Sequence, residues 1–143
     1  MATFKNFEEI LAWQKARVLC RKIKTLTEKP LFSKDFKLRD QILSSSGSAM
    51  DNIAEGFERQ GNKEFVYFLY VSKGSCGEVR SQAYRALDFG YVTQEECDEI
   101  LRDSIEISKM LHGLIESIQS SGHGGHKFRL FFLTILSLFL LLA

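Results

Sequence analysis

A chain of 143 residues, 45% apolar and 26% charged, is long enough for a single domain with one core and ordinary in composition for a soluble globular protein. Its formal net charge of +1 excludes a uniformly basic protein, and one proline weighs against a loop-rich β fold. The near-neutral total hides an asymmetry. Met1 to Arg39 holds ten Lys/Arg against four Asp/Glu (+6), whereas Asp40 to His126 holds seven against fourteen (−7). The basic end could face nucleic acid or attract the acidic end of the same chain.

The first helix is expected to start at Asn6, with Glu9 three residues on as a capping box. Phe7, Leu11, Val18, Leu19, Ile23 and Leu26, joined by Ala12 and Ala16, make a broad apolar arc. Arg17, Arg21 and Lys24 follow at i, i+4 and i+7 on the other side. The segment ends at Glu28-Lys29-Pro30, because the residue before proline is driven out of the helical region. A short connection with a start signal at Ser33 or Asp35 leads to a second helix, from about Leu38 to Arg59. Ser44 to Ser48 has poor helix propensity. The apolar stripe Leu38, Ile42, Ala49 and Ile53, completed by Ser46 and Gly56, nevertheless crosses it in phase. So does a polar stripe of Gln41, Ser45, Ser48, Asn52, Glu55 and Arg59, and both predict helix.

Gln60-Gly61-Asn62 reads as a turn, with glycine at the helix C′ position and asparagine as the next N-cap. The third helix carries a seam of Phe65, Phe68, Ser72, Ser75, Val79, Gln82 and Ala86. Gly74 and Gly77 are expected to pack closely against the Ser/Gly run of helix two. Phe89-Gly90 ends that helix, and Thr93 with Glu96 caps a fourth. Its seam is Cys97, Ile100, Ser104, Ile107, Leu111, Leu114 and Ile118, and its exposed side is acidic. Four amphipathic helices with short connections predict an all-α, antiparallel up-down-up-down bundle over residues 1–119.

Residues 120–127 read as a flexible linker, and 128–143 as a hydrophobic tail. The charge-free run Leu130 to Ala143 is fourteen residues, roughly 21 Å as a helix against a hydrocarbon core of about 30 Å. It could dip into a membrane surface, cover an apolar patch of an oligomer, or be coding sequence appended to the domain. Cys20, Cys76 and Cys97 share no metal-ligand spacing, and Met1 to Lys5 opens no secretory signal. Three reduced thiols in a cytoplasmic protein are the expectation.

Asn52-Ile53-Ala54-Glu55-Gly56, with Gln41, Arg59, Lys63-Glu64-Phe65, Phe68-Leu69, Lys73-Gly74-Ser75, Glu78, Gln82 and Gly90-Tyr91, resembles the bacterial four-helix bundle proteins, the 23S rRNA intervening-sequence proteins. The accessory variability protein of diversity-generating retroelements is similar to this family. The resemblance covers about Phe4 to Ile118. It implies a ring-like homopentamer with no established enzymatic activity and, for the retroelement relative, binding to structured RNA and a reverse transcriptase through a basic surface. Many members carry a basic pair after the family's glutamine, where this chain has Leu43-Ser44.

The residues expected to meet nucleic acid are Arg17, Arg21, Lys22 and Lys24. Gln41, Asn52, Glu55, Gly56, Arg59, Gly74, Ser75 and Glu78 are expected to form a structural or assembly motif, with Glu55–Arg59 as an i,i+4 ion pair. No catalytic set is expected, because no nucleophile has a matched base and no phosphate loop occurs. His123-x-x-His126 lacks further ligands, so neither metal nor cofactor is expected. Two functions follow: a homo-oligomeric RNA-associated accessory protein, or a protein–protein interaction scaffold whose basic face serves assembly. Membrane association through the tail is a third.

Overall fold

The computed structural model describes residues 4–121; the apolar tail and all but the first two residues of the expected linker lie outside the described residues. A 3-10 turn at Phe7–Glu9 precedes α1 (Leu11–Thr27), and a second at Phe32–Lys34 leads into α2 (Phe36–Glu58). Helices α3 (Asn62–Asp88) and α4 (Gln94–Ser121) complete the fold, with no strand among the described residues. α1 packs on α2 and α4, α2 on α3, and α3 on α4. That closed circuit of sequential neighbours is the all-α up-down-up-down bundle expected. α4 runs through Ser121, two residues into the stretch read as linker. No helix among the described residues is long and apolar enough to cross a membrane.

The start of α1 differs from expectation. Asn6 makes no side-chain cap bond, and the Glu9 carboxylate instead accepts from the Lys5 backbone N–H at 3.0 Å. Ile10 is buried with an extended backbone, so anchoring its side chain in the core turns the chain before α1 begins. The apolar arc is correspondingly narrow. Ala12, Ala16, Leu19, Ile23 and Thr27 are buried, whereas Leu11 and Val18 face outward.

α2 starts as the sequence indicates. Asp35 Oδ1 accepts the Leu38 N–H at 3.0 Å, supplying one of the four donors a helix start leaves open. That bond, with a second from Tyr91 Oη to Asp35 Oδ2 at 3.1 Å, holds the carboxyl below the usual aspartate range despite partial desolvation. Ser44 to Ser48 is helical, and Ser45 and Ser46 return their hydroxyls to the carbonyls of Gln41 and Leu43. Leu38, Ile42, Ser46, Ala49, Ile53 and Gly56 are all buried, so the apolar stripe holds phase across this weak segment.

The turn after α2 assigns its roles differently. Gln60 takes the left-handed conformation (φ 60°), Gly61 is the N-cap, and Asn62 is already helical. At the far end of α3, Gly90 (φ +73°) supplies the left-handed residue. The Tyr91 N–H reaches Ala86 O and the Gly90 N–H reaches Leu87 O, each at 2.9 Å, which makes a Schellman motif. Thr93 and Glu96 then close a reciprocal capping box, with bonds of 2.8 and 3.2 Å.

The α3 seam is rotated from the expected one. Leu69, Cys76 and Ala83 are fully buried, while Phe68 and Gln82 lie at its edge. On α4, Ile115 replaces Leu114 in the core.

Candidate functional site

Two surfaces hold the residues singled out from the sequence. The first is a polar seam between α2 and α3. Ser72 Oγ donates to Ala49 O at 2.6 Å in the interior, and Ser48 and Ser75 share a hydroxyl bond at 2.9 Å. Asn52 Nδ2 donates to both the carbonyl and the hydroxyl of Ser48, at 2.7 and 2.8 Å. Farther along, Ser45 Oγ, whose one hydrogen is shared between Gln41 O at 2.9 Å and Glu78 Oε2 at 3.1 Å, accepts from Gln82 Nε2 at 3.0 Å. Arg85 Nη1 reaches Gln41 Oε1 at 3.2 Å.

The seam opens at this upper end into a cleft of about 550 Å³, edged by Gln41, Ser45, Glu78, Gln82 and Arg85. The enclosed carbonyl oxygen of Gln82 has no donor. Glu78 has no lysine or arginine within 4 Å among the described residues. At the lower end, Gly56 lets α3 approach α2: a Cβ there would lie 2.6 Å from Phe68 Cβ and 3.1 Å from Phe65 Cδ2. Glu55 and Arg59 form the expected i,i+4 pair at 2.7 Å on the exposed edge, and the Arg59 guanidinium also lies over the Phe68 ring.

Gly74 and Gly77 do not do what the sequence suggested. A Cβ on Gly74 would meet nothing within 4 Å, and one on Gly77 only the tip of Arg80 at 3.9 Å. Both point away from α2. At 100° per residue they share the outward face of α3 with Ser81, Tyr67, Tyr70 and Tyr84. The three tyrosines each expose half or more of their surface. The small side chains that pack between α2 and α3 are Ser72, Ser75 and Gly56 instead.

The second surface is the basic side of α1, and the acidic side of α4 takes up part of its charge. Lys15 pairs with Glu106 at 3.1 Å, and Lys29 with Glu96 at 2.7 Å. Lys22 bridges Glu99 and Asp103. Burial alone would lower the Lys22 pKa, but the bonds to Asp103 and Glu99 outweigh it and hold the ammonium above its ordinary value. The Lys29 ammonium, with the Thr93 N–H, holds the Glu96 carboxyl below the usual range.

Of the four residues expected to contact nucleic acid, Lys22 is thus committed to α4 and Lys24 pairs with Glu28 at 2.9 Å. The Arg17 guanidinium lies over the Trp13 ring, 5.8 Å from its centroid. Neither Arg17 nor Arg21 has a carboxylate within 4 Å among the described residues. The structure therefore places all four on one helix but leaves only the two arginines without an ionic partner.

The cysteines do not form a reactive set. Cys76 and Cys97 are buried, and Cys20 gives its thiol to Ser46 O at 2.9 Å. Burial pushes all three thiols up, Cys76 to about 11, so the thiolate is scarce at neutral pH. His112 sits 3.4 Å from Glu116 on the surface of α4.

Gln82, Arg85 and the outward tyrosines of α3 are the surface residues sequence reasoning did not single out as a site. Gln82 carried a signal, since an amide in an otherwise small or apolar seam needs polar partners. Nothing in the local pattern distinguished the tyrosines from ordinary half-buried aromatics.

Among curated proteins, none matches this chain. It is similar in fold to a protein of unknown function from the S23 ribosomal protein family of Bacteroides thetaiotaomicron, with a TM-score of 0.69 and 26% identity. That alignment covers 73% of this chain and 98% of the other. The family described as 23S rRNA-intervening sequence protein matches residues 8–113, a span that takes in α1, α2, α3, most of α4 and both surfaces described above. With the bundle topology and the Asn52–Arg59 motif in place, the chain belongs to the 23S rRNA-intervening sequence protein family.

Proposed function

We propose that this protein is a non-enzymatic, self-associating scaffold, in which the bundle provides faces for protein–protein contact and the basic helix α1 serves structure and assembly. The observation that carries this reading is the outward face of α3. A Cβ on either of two helical glycines there would meet no close neighbour among the described residues, although each costs about 1 kcal/mol relative to alanine in an exposed helix. Exposed tyrosines flank them, a residue type enriched where proteins meet. A partner lying on the glycines would account for both. The homopentamer and the cytoplasmic setting implied by the resemblance and by the reduced thiols are part of this reading.

The full chain is expected to run as a defined oligomer by light scattering at micromolar concentration. A strict monomer up to the millimolar range would remove the scaffold reading.

A second reading, an RNA-associated accessory protein that could also meet a reverse-transcriptase-like partner, is favoured by the guanidinium groups of Arg17 and Arg21, which have no carboxylate within 4 Å among the described residues. It predicts salt-dependent binding of structured RNA that an Arg17/Arg21/Lys24→Ala variant loses. RNA binding absent at low salt, or unchanged in that variant, excludes it.

A further inference from the structure

Resting on the self-association reading, we infer that the outward face of α1 on one copy docks on the outward face of α3 on the next, with Arg21 entering the α2/α3 cleft to pair with Glu78. The two faces are complementary in charge. Arg21 is exposed with no carboxylate within 4 Å among the described residues, and Glu78 has no lysine or arginine within 4 Å among them, Arg85 lying farther off on the same cleft. A guanidinium brings five N–H donors and no acceptor, which suits a carboxylate whose partner among the described residues is a single serine hydroxyl.

The two faces also match in texture. At 100° per residue, Leu11, Val18 and Arg21 fall within one arc of α1. Leu11 and Val18 are the exposed apolar side chains of that helix. On α3 the corresponding arc presents Tyr67, Tyr70, Gly74 and Gly77, next to Glu78. Apolar side chains thus meet aromatic ones, and the glycines let the two helix backbones come close.

Their levels along the bundle match as well. α1 and α3 run in the same direction in this topology. The Cys20–Ser46 bond puts the middle of α1 level with the middle of α2, and the Ser45–Glu78 bond carries that level across to α3. Arg21, Ser45 and Glu78 therefore stand at nearly one height, with Val18 and Gly74 below them. Leu11 and the Tyr67/Tyr70 pair lie lower still. Rotation about an axis parallel to the bundle preserves height, so such a rotation brings these partners together in register. Because α1 meets α3 rather than α1 meeting α1, the contact is heterologous, the kind that builds rings when the rotation closes and filaments when it does not.

The test is a charge reversal on the full chain, read by light scattering and analytical ultracentrifugation over a concentration series. Arg21→Glu and Glu78→Arg are each expected to weaken association at least tenfold, and the double variant to restore it to within about threefold of the parent. Val18→Asp, which replaces the apolar contact with a carboxylate one turn from Arg21, should also weaken association. Both charged positions are exposed, and circular dichroism with thermal melts serves as the check that each variant is folded. A parent that assembles while the reversals and Val18→Asp all leave its mass unchanged overturns this contact and leaves self-association standing. A parent that is monomeric throughout overturns both.

Discussion

Phe32→Ala is expected to lower the unfolding free energy by about 3–5 kcal/mol, the range for removing a fully buried phenylalanine. Phe32 lies in the 3-10 turn between α1 and α2, with no exposed surface. Its ring stacks on Tyr91, with centroids 5.2 Å apart and planes 25° from parallel. Tyr91 in turn sits in the connection from α3 to α4 and bonds to the α2 cap residue Asp35. One ring therefore holds both connections at this end of the bundle, so its loss should leave a cavity and loosen two turns together. Since a domain of this size is stable by only about 5–15 kcal/mol, urea midpoints should fall markedly at unchanged m-value. Phe36→Ala provides the contrast: Phe36 is exposed and its ring contacts the Arg39 guanidinium, so its removal should cost less than about 1 kcal/mol. A Phe32→Ala variant that loses no more than Phe36→Ala would show that the connections are held by something other than this ring.

Gly56→Ala and Gly74→Ala are expected to act in opposite directions, although both replace a glycine inside a helix. Helix propensity favours alanine by about 1 kcal/mol at either site. At Gly56 the added methyl would sit 2.6 Å from Phe68 Cβ, an atom fixed to the α3 backbone that no rotamer change can move away. The two helices must separate, at an overpacking cost of typically 1–3 kcal/mol that exceeds the propensity gain. At Gly74 nothing opposes the methyl group, so the folded monomer should be more stable by up to about 1 kcal/mol. Thermal melts at low protein concentration read both effects. Stabilisation by Gly56→Ala would falsify the close α2/α3 approach. Destabilisation of the monomer by Gly74→Ala would mean that this face is covered from within the chain.

This pair also marks where sequence reasoning stopped. The four helices and their order were legible because amphipathic periodicity is local: Leu38, Ile42, Ala49 and Ile53 keep phase through the weak Ser44–Ser48 run whatever lies opposite. The Thr93/Glu96 capping box and the Glu55–Arg59 pair were equally legible, since each is completed within a few residues. The Asp35 cap was one of the two start signals the sequence offered.

Which small residues pack was not legible. Gly56, Gly74 and Gly77 look alike along the chain, and only the rotation of α3 about its own axis decides which of them faces α2. That rotation is set by the burial of Leu69, Cys76 and Ala83 rather than Phe68 and Gln82. The left-handed residue after α2 was misplaced for a related reason. Gly61 is the less strained choice in isolation, but it is taken up as the extended N-cap of α3, and the positive φ falls on Gln60.

The basic end was ambiguous by charge count alone. Only the tertiary structure brings Lys15, Lys22 and Lys29 against α4 carboxylates 67 to 91 residues away, leaving Arg17 and Arg21 without ionic partners among the described residues. The sequence by itself determined the four helices, the caps that start α2 and α4, and the family, because these follow from near-neighbour spacing and from motif residues. The tertiary structure decided which charges are already spent within the chain and which glycines face outward, because both depend on how four helices rotate against one another.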